Sequence, residues 1–438
     1  MNASKLSELR GVHVAVWGAG REGAAAAAVL THQECAVTVV VDAPHAEAET
    51  LAALHGARVI TPADIAGAGV DFVVRSPGIS RYRDEIATWS AAGIGSSGLF
   101  ALWLADQDPE RVVAVTGTKG KSTTATLVAA VLRAAGHEVH VAGNIGIPVT
   151  EIPPTGIAVV EVSSYQAADC TVSPAVGVLT SLGEDHVTWH QSVENYHADK
   201  LRLFGGVPLR AAVCDGSVAL VEKLTSVGVR TIVDGPWRTE GGTLVAGDQM
   251  VDAAGVTAQV RRNLAVAANA ATCMDAAVNA SHLAATLAGF EPLPSRQREI
   301  AVVDGVRWVD DLLASNPTGV LAAVESFSSS PLVLLMGGAD RGIDVSPIVA
   351  ALSHAGHVRA VILMGDEGEP LVDALRSTTV PVVRIEGHDI AAAVDAARHI
   401  AEPGDVVSFS PGAPTPARLG TWEDRSREFA RLVAELDR

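Results

Sequence analysis

The sequence predicts an α/β protein built in three blocks, and three observations support that reading. Short β-branched runs alternate from end to end with Ala- and Leu-rich stretches of helical period, the pattern of parallel strands joined by crossover helices. At 438 residues the chain is longer than one hydrophobic core usually supports. Its apolar share is 48% with only 4% aromatic residues and 41 Gly, so Ala, Val and Leu must fill buried sheets.

The first block opens with the strand-like run 12–17, continues through 36–41 and 71–75, and ends near a loop at 93–98. The second starts with the apolar run 111–115 and extends to the Pro-bearing segment 290–295. The third repeats the alternation at 332–336, 358–364, 380–385 and 406–410, and closes with an amphipathic helix over about 422–436. Weak periodicity over 215–259 leaves the strand count there open. The expected domain boundaries are 1–98, 99–293 and 294–438.

A formal charge of -18 repels nucleic acid and anionic membranes, so any phosphate binding must be local. Cys35, Cys170, Cys214 and Cys273 lack metal-type spacing, residues 1–11 hold no apolar signal region, and no run reaches membrane-spanning length. These features point to a reducing cytoplasm, with no nucleic-acid or membrane partner; a monomer acting on small molecules is the expectation, though charge and cysteines do not set the oligomeric state.

Three groups of residues suggest chemistry. Gly18-Ala19-Gly20-Arg21-Glu22-Gly23 joins a strand to an Ala-rich helix, with Asp42 ending the next strand, as in dinucleotide-type folds. The bland reading is a tight strand–helix turn without a ligand. Thr116-Gly117-Thr118-Lys119-Gly120-Lys121-Ser122 stands between a strand and a helix, where backbone N–H groups cradle polyphosphate, the lysine neutralises it and the serine holds Mg²⁺. Its two-residue gap between Gly117 and Gly120 is shorter than the standard P-loop's four. Further on, Gly143-Asn144-Ile145-Gly146, Glu161-Val162-Ser163-Ser164-Tyr165-Gln166 and Glu184-Asp185-His186 each follow an apolar run, where open α/β sheets place their ligands. Singly, each looks like a surface or capping stretch; in this order they point to one nucleotide site with Glu161 and His186 as metal ligands or bases.

The ordered motifs at 116–124, 143–146, 161–166 and 184–186 resemble those of the Mur ligases, and the likeness runs over essentially the whole chain. The glutamate-adding branch is resembled most, through Ser76-Pro77-Gly78-Ile79, Tyr196-His197-Ala198-Asp199-Lys200, Gly337-Gly338, and Ser410-Pro411 leading to Trp422-Glu423-Asp424-Arg425 and Phe429. The resemblance implies a Rossmann-like N-terminal domain, a central P-loop-type ATPase domain and a C-terminal Rossmann-like domain. It further implies an ATP- and Mg²⁺-dependent ligase adding glutamate to UDP-N-acetylmuramoyl-L-alanine during peptidoglycan precursor synthesis.

Residue by residue, the likeness assigns Gly20, Arg21, Glu22, Asp42, Ser76, Asn144, Ser163 and Gln166 to the UDP-linked substrate. Gly117, Thr118, Lys119, Gly120, Lys121, Ser122, Thr123, Asn263, Arg296 and Asp311 fall to ATP. Ser122, Glu161, His186 and Lys200 fall to metal, with Lys121, His186 and Lys200 catalytic and Lys200 carbamylated. Ser315, Arg341, Thr415 and Trp422 surround glutamate.

Several positions depart from the branch's pattern. Asp311-Leu312-Leu313-Ala314-Ser315-Asn316 lacks the usual lysine, Ser295 replaces a histidine before Arg296, and Arg262-Asn263-Leu264-Ala265-Val266 keeps only part of a nucleotide motif. Gly337-Gly338-Ala339-Asp340-Arg341 replaces a turn ending in lysine. Moving the cation to Arg341 offers a planar fork for a carboxylate gripped from a new direction. A similar variant branch is associated with L-glutamate, so L-glutamate is the expected substrate and D-glutamate the alternative. Another Mur-type or folyl-polyglutamate ligase shares the ATPase core. A nicotinamide-dependent oxidoreductase rests on the first turn alone, and a non-catalytic nucleotide binder would bind ATP without turnover.

Overall fold

The computed structural model describes residues 1, 3–207, 209–339, 344–365, 373, 375–376 and 378–436. They form two compact units, one of Met1–Ala254 with Arg261–Ala288, the other of Gly255–Val260 with Gly289–Arg438.

The first unit begins with a five-stranded parallel sheet in the order β3-β2-β1-β4-β5. Its strands are β1 (His13–Trp17), β2 (Ala36–Val40), β3 (Arg58–Ile60), β4 (Phe72–Arg75) and β5 (Gly95–Gly98). Residues 95–98, expected as a loop, pair with β4 as an edge strand. Gly-Ser-Ser-Gly has little strand propensity, so the ladder offered by β4 decides its conformation. Strand β1 lies between β2 and β4, so the chain order reverses there and a crevice opens beyond its carboxyl end. The turn after β1 feeds the helix Arg21–His32, whose buried Ala25, Ala26 and Ala27 let it pack close on the sheet.

A second parallel sheet has the order β11-β10-β9-β6-β8-β7. It contains β6 (Val112–Thr116), β7 (Val139–Gly143), β8 (Ile157–Glu161), β9 (Val176–Leu179), β10 (Ala211–Val213) and β11 (Ile232–Val233). Its central strands read as continuous apolar runs because helices cover both faces, and Val112, Val113, Ala114 and Val115 are fully buried. Strand β6 again sits at a reversal, between β8 and β9. The stretch whose strand count was open holds a small antiparallel sheet of β12 (Arg238–Glu240), β13 (Thr243–Ala246) and β14 (Gln249–Asp252). Strand β12 is exposed throughout, so it shows no apolar alternation to read.

The second unit has the order β15-β16-β20-β17-β18-β19. Strand β15 (Arg298–Val303) runs antiparallel to β16 (Val306–Asp310), while β17 (Leu332–Met336), β18 (Val358–Met364), β19 (Val382–Ile385) and β20 (Val406–Phe409) continue in parallel. The closing helix Trp422–Glu435 starts with a capping box between Thr421 and Asp424 and buries Phe429 against Trp308 and Phe409.

Close helix–sheet packing in the first sheet depends on Gly23. A Cβ there would stand 1.9 Å from the Gly18 carbonyl oxygen, whereas a Cβ on Gly20 would meet open space. Gly23→Ala should therefore cost about 1–3 kcal/mol through overpacking, read as a lower urea midpoint, while Gly20→Ala leaves the midpoint unchanged.

Candidate active site

Strand β6 delivers the chain into the turn 117–120, and the helix Lys121–Ala134 starts directly after it. Gly117 has φ 147 and Gly120 has φ 85, and a Cβ on Gly117 would lie 2.1 Å from Thr180 Oγ1. A side chain at that position is excluded both by backbone conformation and by space. The segment after β9 braces the turn. Thr118 N donates to Ser181 O at 2.9 Å, Lys119 N to Ser181 Oγ at 2.8 Å, and Gly183 N to Thr118 Oγ1 at 2.9 Å. Thr118 Oγ1 also bonds Tyr196 Oη at 2.9 Å. The helix N-terminus thus points its free N–H groups at a rigid cradle suited to phosphate. Asn263 reaches the same turn, its Oδ1 lying 3.0 Å from a Cβ built on Gly120.

At the end of β8, Glu161 is 1% exposed and accepts from Asn144 Nδ2 at 2.8 Å through Oε1. Its Oε2 and the Ser122 hydroxyl are buried with no hydrogen-bond partner among the described residues. Orphaned oxygens of this kind are the ligands a hard divalent cation takes. Among the described residues, no cluster of three or more His, Cys, Asp or Glu side chains is gathered for a metal. A carboxylate and a hydroxyl, completed by phosphate oxygens, fit Mg²⁺ in that form.

Lys200, on the helix Val193–Gly205, is 1% exposed, which excludes a solvated surface lysine. Its Nζ lies 4.7 Å from the Tyr196 ring centre. Burial, and then the Lys121 cation, hold its pKa well below the usual lysine range, opposed by Asp185 and Glu161. His186 occupies a left-handed position at φ 52 and packs against Tyr165, the ring centres 4.9 Å apart and the planes tilted by 55°. Burial of its ring, with Lys200 and Lys121 nearby, pulls its pKa down to about 4 against the pull of Asp185, leaving a neutral imidazole at neutral pH. Lys121 Nζ donates to Thr118 O at 3.1 Å. Lys121, Glu161, the adjacent Asp185 and His186, and Lys200 thus come from four separate segments into one electrostatic neighbourhood.

The first sheet meets this edge through the turn after β1. Arg21 donates from Nη2 to Gly143 O at 3.0 Å and Asn144 O at 3.3 Å, and from Nη1 to Gly146 O at 3.3 Å. Gln166 Nε2 donates to Glu22 Oε1 at 2.6 Å, and Ser163 caps the short helix Ser164–Ala167 in a reciprocal box with Gln166. Ser76 Oγ reaches Gly18 O at 3.4 Å beside Gly20. Asp42 pairs at 2.7 Å with Arg83, whose guanidinium lies 4.5 Å from the Trp17 ring centre. Arg83 belongs to no motif, and neither do Arg75 and Asp169, which form a buried pair at 2.5 Å. Only the folded chain identifies them.

In the second unit, Asp311 accepts from Gln297 N at 3.1 Å and Ser410 Oγ at 2.9 Å. Arg296 is flanked by Ser295 at φ 54 and Gln297 at φ 52. Ser295, where the resembled branch has histidine, is fully buried and bonds Asp310 Oδ2 at 2.9 Å. Ser315 precedes the Asn316 cap of the helix Pro317–Ser326, Thr415 is partly exposed, and Trp422 opens the last helix. Arg341 lies outside the described residues.

A turn shaped for phosphate, buried oxygens suited to a cation and a buried amine at one sheet edge are the parts that an ATP-dependent group-transfer enzyme uses. Family models for the Mur ligase middle domain and the Mur ligase glutamate ligase domain match residues 115–232 and 295–412. A UDP-N-acetylmuramoyl-L-alanine--L-glutamate ligase of Micromonospora sp. is 35% identical over 98% of both chains. One of Xanthomonas axonopodis pv. citri is 34% identical over 98% of this chain and 96% of its own. A UDP-N-acetylmuramoylalanine--D-glutamate ligase of Rubrobacter xylanophilus is 36% identical over 83% and 85%. In fold, the chain is similar to UDP-N-acetylmuramate-alanine ligase of Thermotoga maritima, with TM-score 0.57, 16% identity and coverage of 97% and 99%. It is similar also to E. coli FolC, solved with ADP, with TM-score 0.56, 18% identity and coverage of 77% and 92%. The chain belongs to the Mur ligase family and is an ATP-dependent, ADP-forming amide ligase.

The packing of Glu22 sets a pH dependence. Burial pushes its carboxyl from an ordinary 4.5 up to about 7, against the opposing Arg21 cation and the Gln166 hydrogen bond. The folded protein then keeps a proton that the unfolded chain has lost, so this contribution is whole below about pH 4.5 and is lost as pH rises through about 7. Glu22→Gln should flatten that slope, so that its urea midpoint gains on the wild type between about pH 5 and pH 8.

Proposed function

We propose that this ligase joins glutamate to the alanyl carboxylate of UDP-N-acetylmuramoyl-L-alanine, using ATP and Mg²⁺, and that the glutamate is the L form. The observation behind this reading is that Ser122, just after β6, and Glu161, at the end of the neighbouring β8, each keep a buried oxygen without a partner among the described residues, while Glu161 acts electrostatically on buried Lys200 and Arg21 and Glu22 of the first sheet reach the same edge. The names of the relatives matched over 98% of the chain support it.

A carboxylate is a poor electrophile, so the γ-phosphoryl of ATP passes to the alanyl oxygen, releasing ADP and leaving an acyl phosphate. The glutamate amine attacks that carbonyl, loses a proton and expels phosphate, forming the amide. The turn 117–120, Lys121, Ser122 and Thr123 hold the phosphates and offset their charge. Ser122 and Glu161 would hold Mg²⁺, which would supply charge neutralisation at the phosphoryl oxygens. His186 and a carbamylated Lys200 supply a further cation site. Burial favours the neutral amine of Lys200, the form that adds carbon dioxide. Gly20, Arg21, Glu22, Asp42 and Ser76 seat the UDP part, and Asn144, Ser163 and Gln166 the sugar-peptide part. Asn263, Arg296 and Asp311 contact the nucleotide; Ser315, Arg341, Thr415 and Trp422 contact glutamate.

The functional domains span 1–98, 99–293 and 294–438, and the enzyme works as a cytoplasmic monomer without nucleic-acid or membrane partners. Among the described residues, no helix is long and apolar enough to cross a membrane.

Lys200→Ala should lower the rate of phosphate release by about 10²-fold or more and recover part of it with added short carboxylic acids. Full wild-type rates without those acids would reject the carbamate role. With UDP-N-acetylmuramoyl-L-alanine as acceptor, kcat/KM should favour L-glutamate over D-glutamate by at least about tenfold; the opposite preference would overturn the stereochemical assignment and leave the ligase chemistry standing.

A further inference from the structure

Behind the charged edge lies a line of polar groups that the chemistry above does not use. Ser164, His190 and Asp199 are 2%, 0% and 1% exposed. His190 Nδ1 lies 2.7 Å from Asp199 Oδ2, and its Nε2 lies 2.9 Å from Ser164 Oγ. Tyr82, from the first sheet's connecting segment, donates its hydroxyl to the same Asp199 oxygen at 3.0 Å. A carboxylate only accepts, so Nδ1 donates to Asp199, while Nε2 shares a hydrogen bond with the Ser164 hydroxyl.

The order serine, histidine, aspartate matches that of acyl-transfer triads. Here the serine is sealed from any substrate, so the line acts on its neighbours. At one end Ser164 belongs to the turn shared with Ser163 and Gln166. In the middle, Asp199 immediately precedes Lys200 on its helix. At the other end, the segment of Tyr82 is tied to the central part of the unit by Ser80 Oγ donating to Trp189 O at 2.7 Å and Trp189 Nε1 donating to Pro77 O at 2.9 Å. Arg81 and Arg202 lie 3.9 and 3.6 Å from the remaining Asp199 oxygen, so the carboxylate is compensated on both sides.

We propose that His190 and Asp199 are positioning residues of the ligase, linking the first sheet's connecting segment, the 163–166 turn and the Lys200 helix into one hydrogen-bonded line. Seating of the UDP-linked substrate on the first sheet then sets the placement of Gln166 and Lys200 together. Buried bonds in a low dielectric strengthen one another, and removing one partner strands the next. Tyr82 and Ser164, which do not bond each other, are therefore coupled through His190 and Asp199.

A double-mutant cycle of Tyr82→Phe and Ser164→Ala tests this, read on kcat/KM for UDP-N-acetylmuramoyl-L-alanine, on KM for ATP, on calorimetric binding of the UDP-linked substrate, and on Tm. Each single change should lower kcat/KM about 3- to 10-fold with KM for ATP held within about twofold, and the double should fall no further than the worse single. Asp199→Asn, which retains an acceptor oxygen, should keep more activity than Asp199→Ala. Losses that multiply in the double variant, an equal rise in KM for ATP, no loss in either single, or a lowered Tm with unchanged kcat/KM would each overturn the proposal. It rests on the ligase assignment: a folded wild type without turnover would count against that assignment, and the binding cycle would still decide the coupling.

Discussion

The charged edge is organised around a lysine amine that the fold removes from water. Lys200 is almost wholly buried, next to a second cation at Lys121, and neither burial nor like charge favours its protonated form. Such an arrangement persists only where the surrounding structure imposes it. Asp185 and Glu161 supply opposing charge, the Tyr196 ring faces the amine, and Tyr196 is itself held by Thr118 of the phosphate turn. The geometry of the nucleotide cradle and the state of this lysine are therefore linked through one tyrosine.

The first sheet is joined to that edge by polar contacts of unequal character. Arg21 grips three backbone carbonyls of the 143–146 turn, which holds position without depending on side-chain identity there. Glu22 and Gln166 instead pair side chain to side chain, and the burial of Glu22 makes that bond sensitive to pH. Deeper in, Arg75 and Asp169 form an ion pair hidden from solvent, where breaking one partner leaves an uncompensated charge. Together these contacts give the loops that follow β7 and β8 and the turn after β1 a common frame.

Motif residues were legible because their chemistry depends on short-range order. Gly117 to Ser122 must bring backbone N–H groups and a lysine to a helix start, and no other local arrangement does so with those residue types. Apolar runs announced the buried parallel strands for a similar reason, since a strand covered on both faces has nowhere to place polar side chains. Residues 95–98 and 238–252 gave no such signal. The former is a strand because β4 pairs with it, the latter a small sheet whose first strand is wholly exposed and whose middle strand is mostly buried.

The amino-acid order alone determined the α/β class, the two glycine turns, the succession of ligase motifs and the closing amphipathic helix, because each rests on neighbours within a turn or a strand. Tertiary structure decided which of those residues share an environment. It buried Lys200, left Ser122 Oγ and Glu161 Oε2 without partners among the described residues, and set Tyr82, Asp199, His190 and Ser164 in line across segments up to 117 positions apart. Burial and charge proximity are properties of packing over such separations, and no local pattern in the chain encodes them.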